Sequence, residues 1–217
     1  MEAVAKKNVI TEKLGLWFPD LDKSTLEAIL KFREELLRFN KTTSVISIST
    51  VDKIDQVHIA DSIMGWRVIE PMIAGSSVYD IGSGNGFPGI VASLLAPEKI
   101  FKLVEADSRK AEFMKHCINA LELKNAQVLV KRAESMGADR IDFGMTRGFA
   151  SIQKTLLTLR RSCNAKASLF HLKGPEWSTE VVALPQQLCS TWNTVHVADY
   201  ELPESKIHHT IVKSILN

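Results

Sequence analysis

Val78-Tyr79-Asp80-Ile81-Gly82-Ser83-Gly84-Asn85-Gly86-Phe87-Pro88-Gly89 is the stretch that decides the fold. It opens with a short run of apolar, β-forming residues, which reads as a strand over Val78 to Ile81. Gly82, Gly84 and Gly86 follow. They let the backbone turn sharply and approach a ligand that side chains would hold away. Pro88 suits the first turn of a helix, where its missing N–H costs nothing, and Gly89 permits close helix–sheet packing. Strand, glycine loop and helix in that order open a Rossmann-like α/β unit.

Downstream, short apolar runs alternate with helical stretches, the pattern of repeated βα units on a mostly parallel sheet. Further strands are predicted over Ile100 to Glu105, Gln127 to Val130, Asp142 to Thr146 and Lys166 to Leu172. Between the second and third strands, Met114, Cys117, Ile118 and Leu121 form one apolar helical stripe that can cover the sheet, so Cys117 reads as core. The β-branched runs Thr194 to Val197 and Thr210 to Ile215 have no helix-length segment between them and read as a closing antiparallel hairpin. The predicted total is seven strands. Upstream, Ser24-Thr25-Leu26-Glu27 has the form of a capping box, followed by Leu26, Ile29, Leu30 and Leu37 at helical spacing. Residues 1–75 are therefore expected to be a helical extension packed on a core of residues 76–217. Lys31, Arg33, Arg38 and Lys41 lie around that helix and suit either phosphate contact or a solvated face.

The chain has 217 residues, 45% hydrophobic and 24% charged, with a formal net charge of +2. That length suits one α/β unit with one active site. A charge so near balance neither demands nor excludes nucleic acid; a local patch would have to supply phosphate affinity. Three cysteines, Cys117, Cys163 and Cys189, stand far apart without C-x-x-C spacing, which argues against a disulfide framework or a zinc site and fits a reducing, cytoplasmic setting. No signal-like segment and no long apolar run point to a membrane.

The glycine loop alone is ambiguous, because Gly84-Asn85-Gly86-Phe87-Pro88-Gly89 also satisfies the G-x-G-x-x-G pattern of dinucleotide enzymes. Two carboxylates sharpen it. Asp80 stands two positions before the first glycine, where it could reach a cationic amino-acid ammonium, directly or through water. A nicotinamide dinucleotide carries no such group. Glu105 closes the second strand, nineteen residues beyond Gly86, where a carboxylate can accept from both ribose hydroxyls. S-adenosylmethionine is the expected cofactor, with Asp80, Gly82, Ser83, Gly84, Gly86, Phe87 and Glu105 as its candidate contacts; a dinucleotide and a nonbinding loop are the alternatives.

Through most of its length, with the best motifs between Phe39 and Gly174, the chain resembles the bacterial small-subunit rRNA guanine-N7 methyltransferases, the RsmG or glucose-inhibited division protein B family. Its H-I-x-D-S appears as His58-Ile59-Ala60-Asp61-Ser62, its glycine loop as Asp80 through Gly89, and its R-x-E as Arg132-Ala133-Glu134. S-R-A-x-A-S appears as Thr146-Arg147-Gly148-Phe149-Ala150-Ser151, and K-G as Lys173-Gly174. The family's W-N-x-x-x-N-L-T departs here to Phe39-Asn40-Lys41-Thr42-Thr43-Ser44-Val45-Ile46. Its Arg-before-His near the C-terminus departs to Lys206-Ile207-His208-His209.

The resemblance implies a Rossmann-like methyltransferase fold and methylation of guanine N7 in the 530 loop of bacterial 16S rRNA, with the rRNA or the small subunit as partner. It places Ala133 and Glu134 beside the adenine, and Arg147 and Lys173 beside the reaction cleft as substrate-positioning cations, Arg147 also touching cofactor. His58 and Asp61, three apart, could bond each other or position the loop. Phe149, Phe87 or Trp177 could stack on an extruded base. Guanine N7 has an in-plane lone pair and no proton to lose, so no catalytic base is nominated, and no metal or membrane partner is expected. A monomer is the expected state. A small-metabolite methyltransferase and an inactive RNA-binding or assembly factor are the alternative functions. No Asp/Asn-Pro-Pro-aromatic loop and no Pro-Cys nucleophile follow the fourth strand, so amino-group and C5 methylation are disfavoured, and Cys163 reads as structural.

Overall fold

The computed structural model describes residues 13–43, 45–137 and 140–217. The predicted first strand is there as β1 (Ser77–Ile81), buried from its second residue onward, as a strand covered on both faces must be. Before it come helix α1 (Lys23–Asn40), the short α2 (Ile48–Val51), a π-helical segment (Asp55–Ala60), α3 (Asp61–Ile69) and a 3-10 turn (Glu70–Met72). After it come α4 (Gly89–Leu95), β2 (Ile100–Glu105), α5 (Ser108–Ala120), β3 (Ala126–Val130), a 3-10 turn (Ala133–Ser135) and β4 (Ile141–Arg147). The chain continues through α6 (Ile152–Leu159), β5 (Cys163–Lys173), α7 (Trp177–Val182), α8 (Gln186–Cys189), β6 (Trp192–Glu201) and β7 (His208–Leu216).

The sheet has seven strands in the order β3-β2-β1-β4-β5-β7-β6. β1 to β5 run parallel, while β7 lies antiparallel between β5 and β6. The chain winds outward from β1 to β2 and β3, then returns to β4 on β1's other side. That reversal opens a crevice beyond the carboxyl ends of β1 and β4.

Apolar side chains fill both faces. On one, Phe101, Leu103, Phe113, Met114 and Cys117 join Phe18, Ile29, Phe32, Ile63 and Trp66 from the N-terminal segment in a single cluster. On the other, Tyr79, Ile81, Leu169 and Trp192 pack with Ile152, Leu156 and Leu188. The predicted stripe of α5 is in place, and Cys117 and Cys163 are both buried. Burial pushes both thiols up, Cys163 to about 12, as expected of packing residues and not nucleophiles.

Two helix starts differ from the sequence reading. Asp22 caps α1, its Oδ1 accepting from the Thr25 N–H at 2.9 Å. Ser24 donates its hydroxyl to the same carboxylate, so the Ser24–Glu27 box does not form. A carboxylate is a stronger acceptor than a hydroxyl, which decides the competition. Pro88 stands at the N-cap of α4, one position before the first turn, and Gly89 leads the helix. A Cβ on Gly89 would lie 2.3 Å from Leu103 Cδ2 and 2.5 Å from Asp80 Oδ2, so only glycine lets α4 seat this close to the sheet. The cations of α1 are engaged internally: Arg33 with Asp55, Arg38 with Glu35, and Lys31 with the Ala120 carbonyl.

Candidate active site

A cavity of about 390 Å³ opens in that crevice. Gly82, Ser83, Gly84, Phe87, Glu105, Ala133, Glu134 and Arg147 lie on its walls, all of them anticipated from sequence. The N–H groups of Gly82 and Ser83 donate to the Val104 carbonyl at 2.9 and 3.0 Å, pinning the loop to β2. Glu105 Oε2 accepts from the Gly84 N–H and Oε1 from the Asp107 N–H, both at 2.8 Å. Each oxygen keeps acceptor capacity for a further hydroxyl. Gly84 has φ +56°, and a Cβ there would meet nothing closer than the Gly82 carbonyl at 3.8 Å. The backbone is thus bare toward the cavity where a ligand would come nearest.

Gly86 and Asp80 are placed differently from the wall residues. Gly86, at φ +86°, turns the loop into α4 and packs against Ile90. Asp80 is fully buried beneath the loop and not on the cavity wall. Its Oδ2 accepts from the Gly89 N–H at 3.0 Å, while Oδ1 has no partner among the described residues. Burial pushes its pKa up to about 7, against the smaller lowering effects of Ser83 and the Gly89 N–H. The expected direct reach to an ammonium is therefore corrected: the carboxylate acts on the loop from below.

The opposite wall is organised by Arg147. Its Nε donates to Asp61 Oδ2, its Nη2 to the Val57 carbonyl at 2.5 Å, and its Nη1 faces His58 Nδ1 at 3.3 Å. A guanidinium only donates, so His58 Nδ1 is the acceptor and its proton sits on Nε2, 3.1 Å from Thr50 Oγ1. Burial and the Arg147 charge hold His58 down at about 4, leaving it neutral near pH 7. Its ring stacks on Phe87 with centroids 5.2 Å apart. Asp61 is wholly buried, and its Oδ1 accepts from Tyr200 Oη at 2.7 Å and His209 Nδ1 at 2.5 Å. Burial alone would raise its pKa; Arg147, His209 and Tyr200 outweigh that and hold it near 2. His58 and Asp61 do not bond each other as one sequence alternative had it; Arg147 bridges them.

Lys173 departs from expectation. It lies off the cavity wall, and Nζ donates to the Ala150 carbonyl at 2.8 Å and to Glu180 Oε2 and Oε1 at 2.8 and 3.0 Å. An ammonium has three N–H donors, so none remains for a substrate. Glu180 also accepts from the Ile152 N–H at 2.7 Å. Lys173 is a clamp tying α7 to the β4–α6 loop, not a substrate cation. Of the aromatic candidates, Phe149 lines the cavity and its ring lies so close to Gly82 that a Cβ there would approach Cδ2 to 2.5 Å. Phe87 is largely buried, packed on Phe32. Trp177 stacks on His196 and lies away from the cavity.

Asn85, Lys110, Lys131, Arg132 and Gly148 also line the cavity, and none had been assigned a role from sequence. Asn85 sits inside the quoted loop, and Lys110 follows Glu105 by five residues, so proximity to known motifs was the available signal. Tyr200 had no signal at all. Of the departing N-terminal motif, Asn40 Oδ1 accepts from the Ile46 N–H at 2.9 Å, while Ser44 lies outside the described residues. His209 turns inward to Asp61.

Residues 25–207 match the model of the family described as GidB, rRNA small subunit methyltransferase G. A Bdellovibrio bacteriovorus protein named ribosomal RNA small subunit methyltransferase G 3 is 38% identical over 209 residues, 95% of this chain and 94% of that protein. A Paracoccus denitrificans protein named ribosomal RNA small subunit methyltransferase G is 32% identical, covering 71% of this chain and 79% of its own. Among solved structures, a SAM dependent methyltransferase from Aquifex aeolicus superposes with TM-score 0.53 at 17% identity, over 79% of this chain and 100% of that one. At that identity the likeness concerns the fold, which it shares.

Proposed function

The chain belongs to the rRNA small subunit methyltransferase G family, and we propose that it transfers a methyl group from S-adenosylmethionine to N7 of a guanosine in the 530 loop of 16S rRNA. The observation that carries this reading is the single cleft joining the bare glycine loop and Glu105 on one side to Arg147 and Phe149 on the other. When bound, the cofactor supplies an electrophilic methyl on a sulfonium. The residues present fit it: Glu105 retains acceptor capacity for ribose hydroxyls and Gly84 leaves space, while Asp80 braces the loop from below through the Gly89 N–H. Ala133 and Glu134 line the end of the cleft beyond Glu105 and border the adenine in this reading.

Guanine N7 needs no base, so the protein's contribution is alignment, an effect that can lower a barrier by roughly 7 to 11 kcal/mol. Arg147 has two N–H groups left after Asp61, Val57 and His58 take theirs, and these hold the guanine O6 or an adjacent phosphate. Compensation by Asp61 limits its repulsion of the methylated, cationic purine. Neutral His58 adds no positive charge to the cleft wall. Phe149 offers the target base a stacking face at the cleft. The protein acts in the cytoplasm, as a monomer, on rRNA or the assembling subunit.

The test is methyl transfer from labelled cofactor to small-subunit rRNA, with the modified base mapped. Label at a guanosine N7 of that RNA, lost with Arg147→Ala while cofactor binding persists, is the expected result. Unlabelled rRNA with labelled small metabolites would reject it.

A further inference from the structure

A second cavity, of about 430 Å³, lies beside the cleft and is bounded by Thr42, Thr43, Val45, Asp107, Arg109 and Lys110. We infer that it is a phosphate subsite for a nucleotide flanking the target guanosine. The inference rests on the rRNA reading above.

Two features make this cavity an annex of the cleft. Lys110 stands on the walls of both. Between them runs Val45, whose carbonyl accepts from the side-chain amide of Asn85, itself on the cleft wall. A chain lying in one therefore passes directly into the other.

The lining decides the ligand class. Asp107 is the N-cap of α5: Oδ1 accepts from the Arg109 N–H at 2.9 Å, and Oδ2 from the Arg109 guanidinium at 3.0 Å. Those bonds hold the carboxyl down at about 2, so it is ionised and offsets the charge of Arg109. The helix N-terminus is also satisfied by that cap and is not the attraction. Lys110 remains, an ammonium with no hydrogen-bond or ion-pair partner for its Nζ among the described residues, facing the hydroxyl-bearing Thr42 and Thr43. Among the described residues no aromatic ring lines the cavity, so they offer a base nothing to stack on. One uncompensated cation with the Thr43 hydroxyl as donor, that of Thr42 being spent on the Phe39 carbonyl, suits a phosphodiester.

The experiment measures binding of the full chain to small-subunit rRNA across a salt series, with cofactor affinity measured separately by calorimetry. Lys110→Gln is expected to reduce the slope of log K against log salt by about 0.7 to 0.9, the worth of one phosphate contact. Lys110→Arg should restore it, and both variants should bind cofactor within about twofold of wild type, a change under 0.5 kcal/mol. An unchanged slope in Lys110→Gln overturns the subsite while leaving the rRNA reading intact. Lost cofactor affinity with an unchanged slope makes Lys110 a cofactor ligand instead. Wild-type protein that neither binds nor methylates the RNA overturns both readings together.

Discussion

Glu105 and Asp80 are both carboxylates at strand ends near one glycine loop, yet burial gives them opposite work. Glu105 is partly open and spends one bond per oxygen on the backbone, so its remaining acceptors face the cleft. Glu105→Ala should weaken cofactor binding by about 10- to 100-fold, the worth of one hydrogen-bonding carboxylate, measured by calorimetry. Asp80 is sealed in, and its folded pKa of about 7 stands above the ordinary 3.8. The folded state thus holds a proton that the unfolded chain has released. Stability from this group is complete below pH 4 and is lost as pH rises through 7. Asp80→Asn should remove that slope and raise stability at pH 8 by roughly 1 to 3 kcal/mol, while weakening cofactor binding. Melting curves from pH 5 to 8 check it; parallel profiles for the two proteins would count against it. The sequence displayed both carboxylates and their spacing, but not which oxygen was left unpartnered. Lys173 shows the same limit: its charge was visible and its partner Glu180 was not, because pairing is decided by how α7 folds back.

At the scale of elements, what read clearly was what is local. Strand periodicity and glycine spacing located β1 to β5 and the final hairpin to within a few residues. Asp61 was legible only as half of a pair with His58, because its true partners Tyr200 and His209 lie 139 and 148 residues away. No local pattern carries that information. The contact joins α3 to the β6–β7 hairpin and, through Arg147, to the end of β4. Tyr200→Phe should cost about 1.5 to 3 kcal/mol, the worth of one hydrogen bond to an ionised carboxylate. Asp61→Asn should cost about 3 kcal/mol, because it removes the buried counter-charge of the half-buried Arg147. The double variant should cost less than the sum, since both remove one shared bond. Urea denaturation of the three variants measures this; strict additivity would mean that Tyr200 stabilises the fold without Asp61.

For the whole molecule, the N-terminal segment and the sheet share one apolar cluster, so we expect no independent folding of residues 13–75. Trp66 reports on the cluster on that face and Trp192 on the opposite one, both almost completely buried. Single-tryptophan versions should unfold in urea with coincident midpoints, matching far-ultraviolet circular dichroism. Separated midpoints would show two cooperative units. β5 is an eleven-residue, largely buried strand, and its outer neighbour β7 follows it only after some 35 further residues. While a ribosome is still adding the closing hairpin, β5 is a bare edge with its hydrogen-bonding groups open to any other strand. Asp61 likewise waits for Tyr200 and His209. Stalled or prematurely terminated chains should therefore be both sticky and inactive, so synthesis of the closing hairpin protects the nascent protein and completes the Asp61 hub.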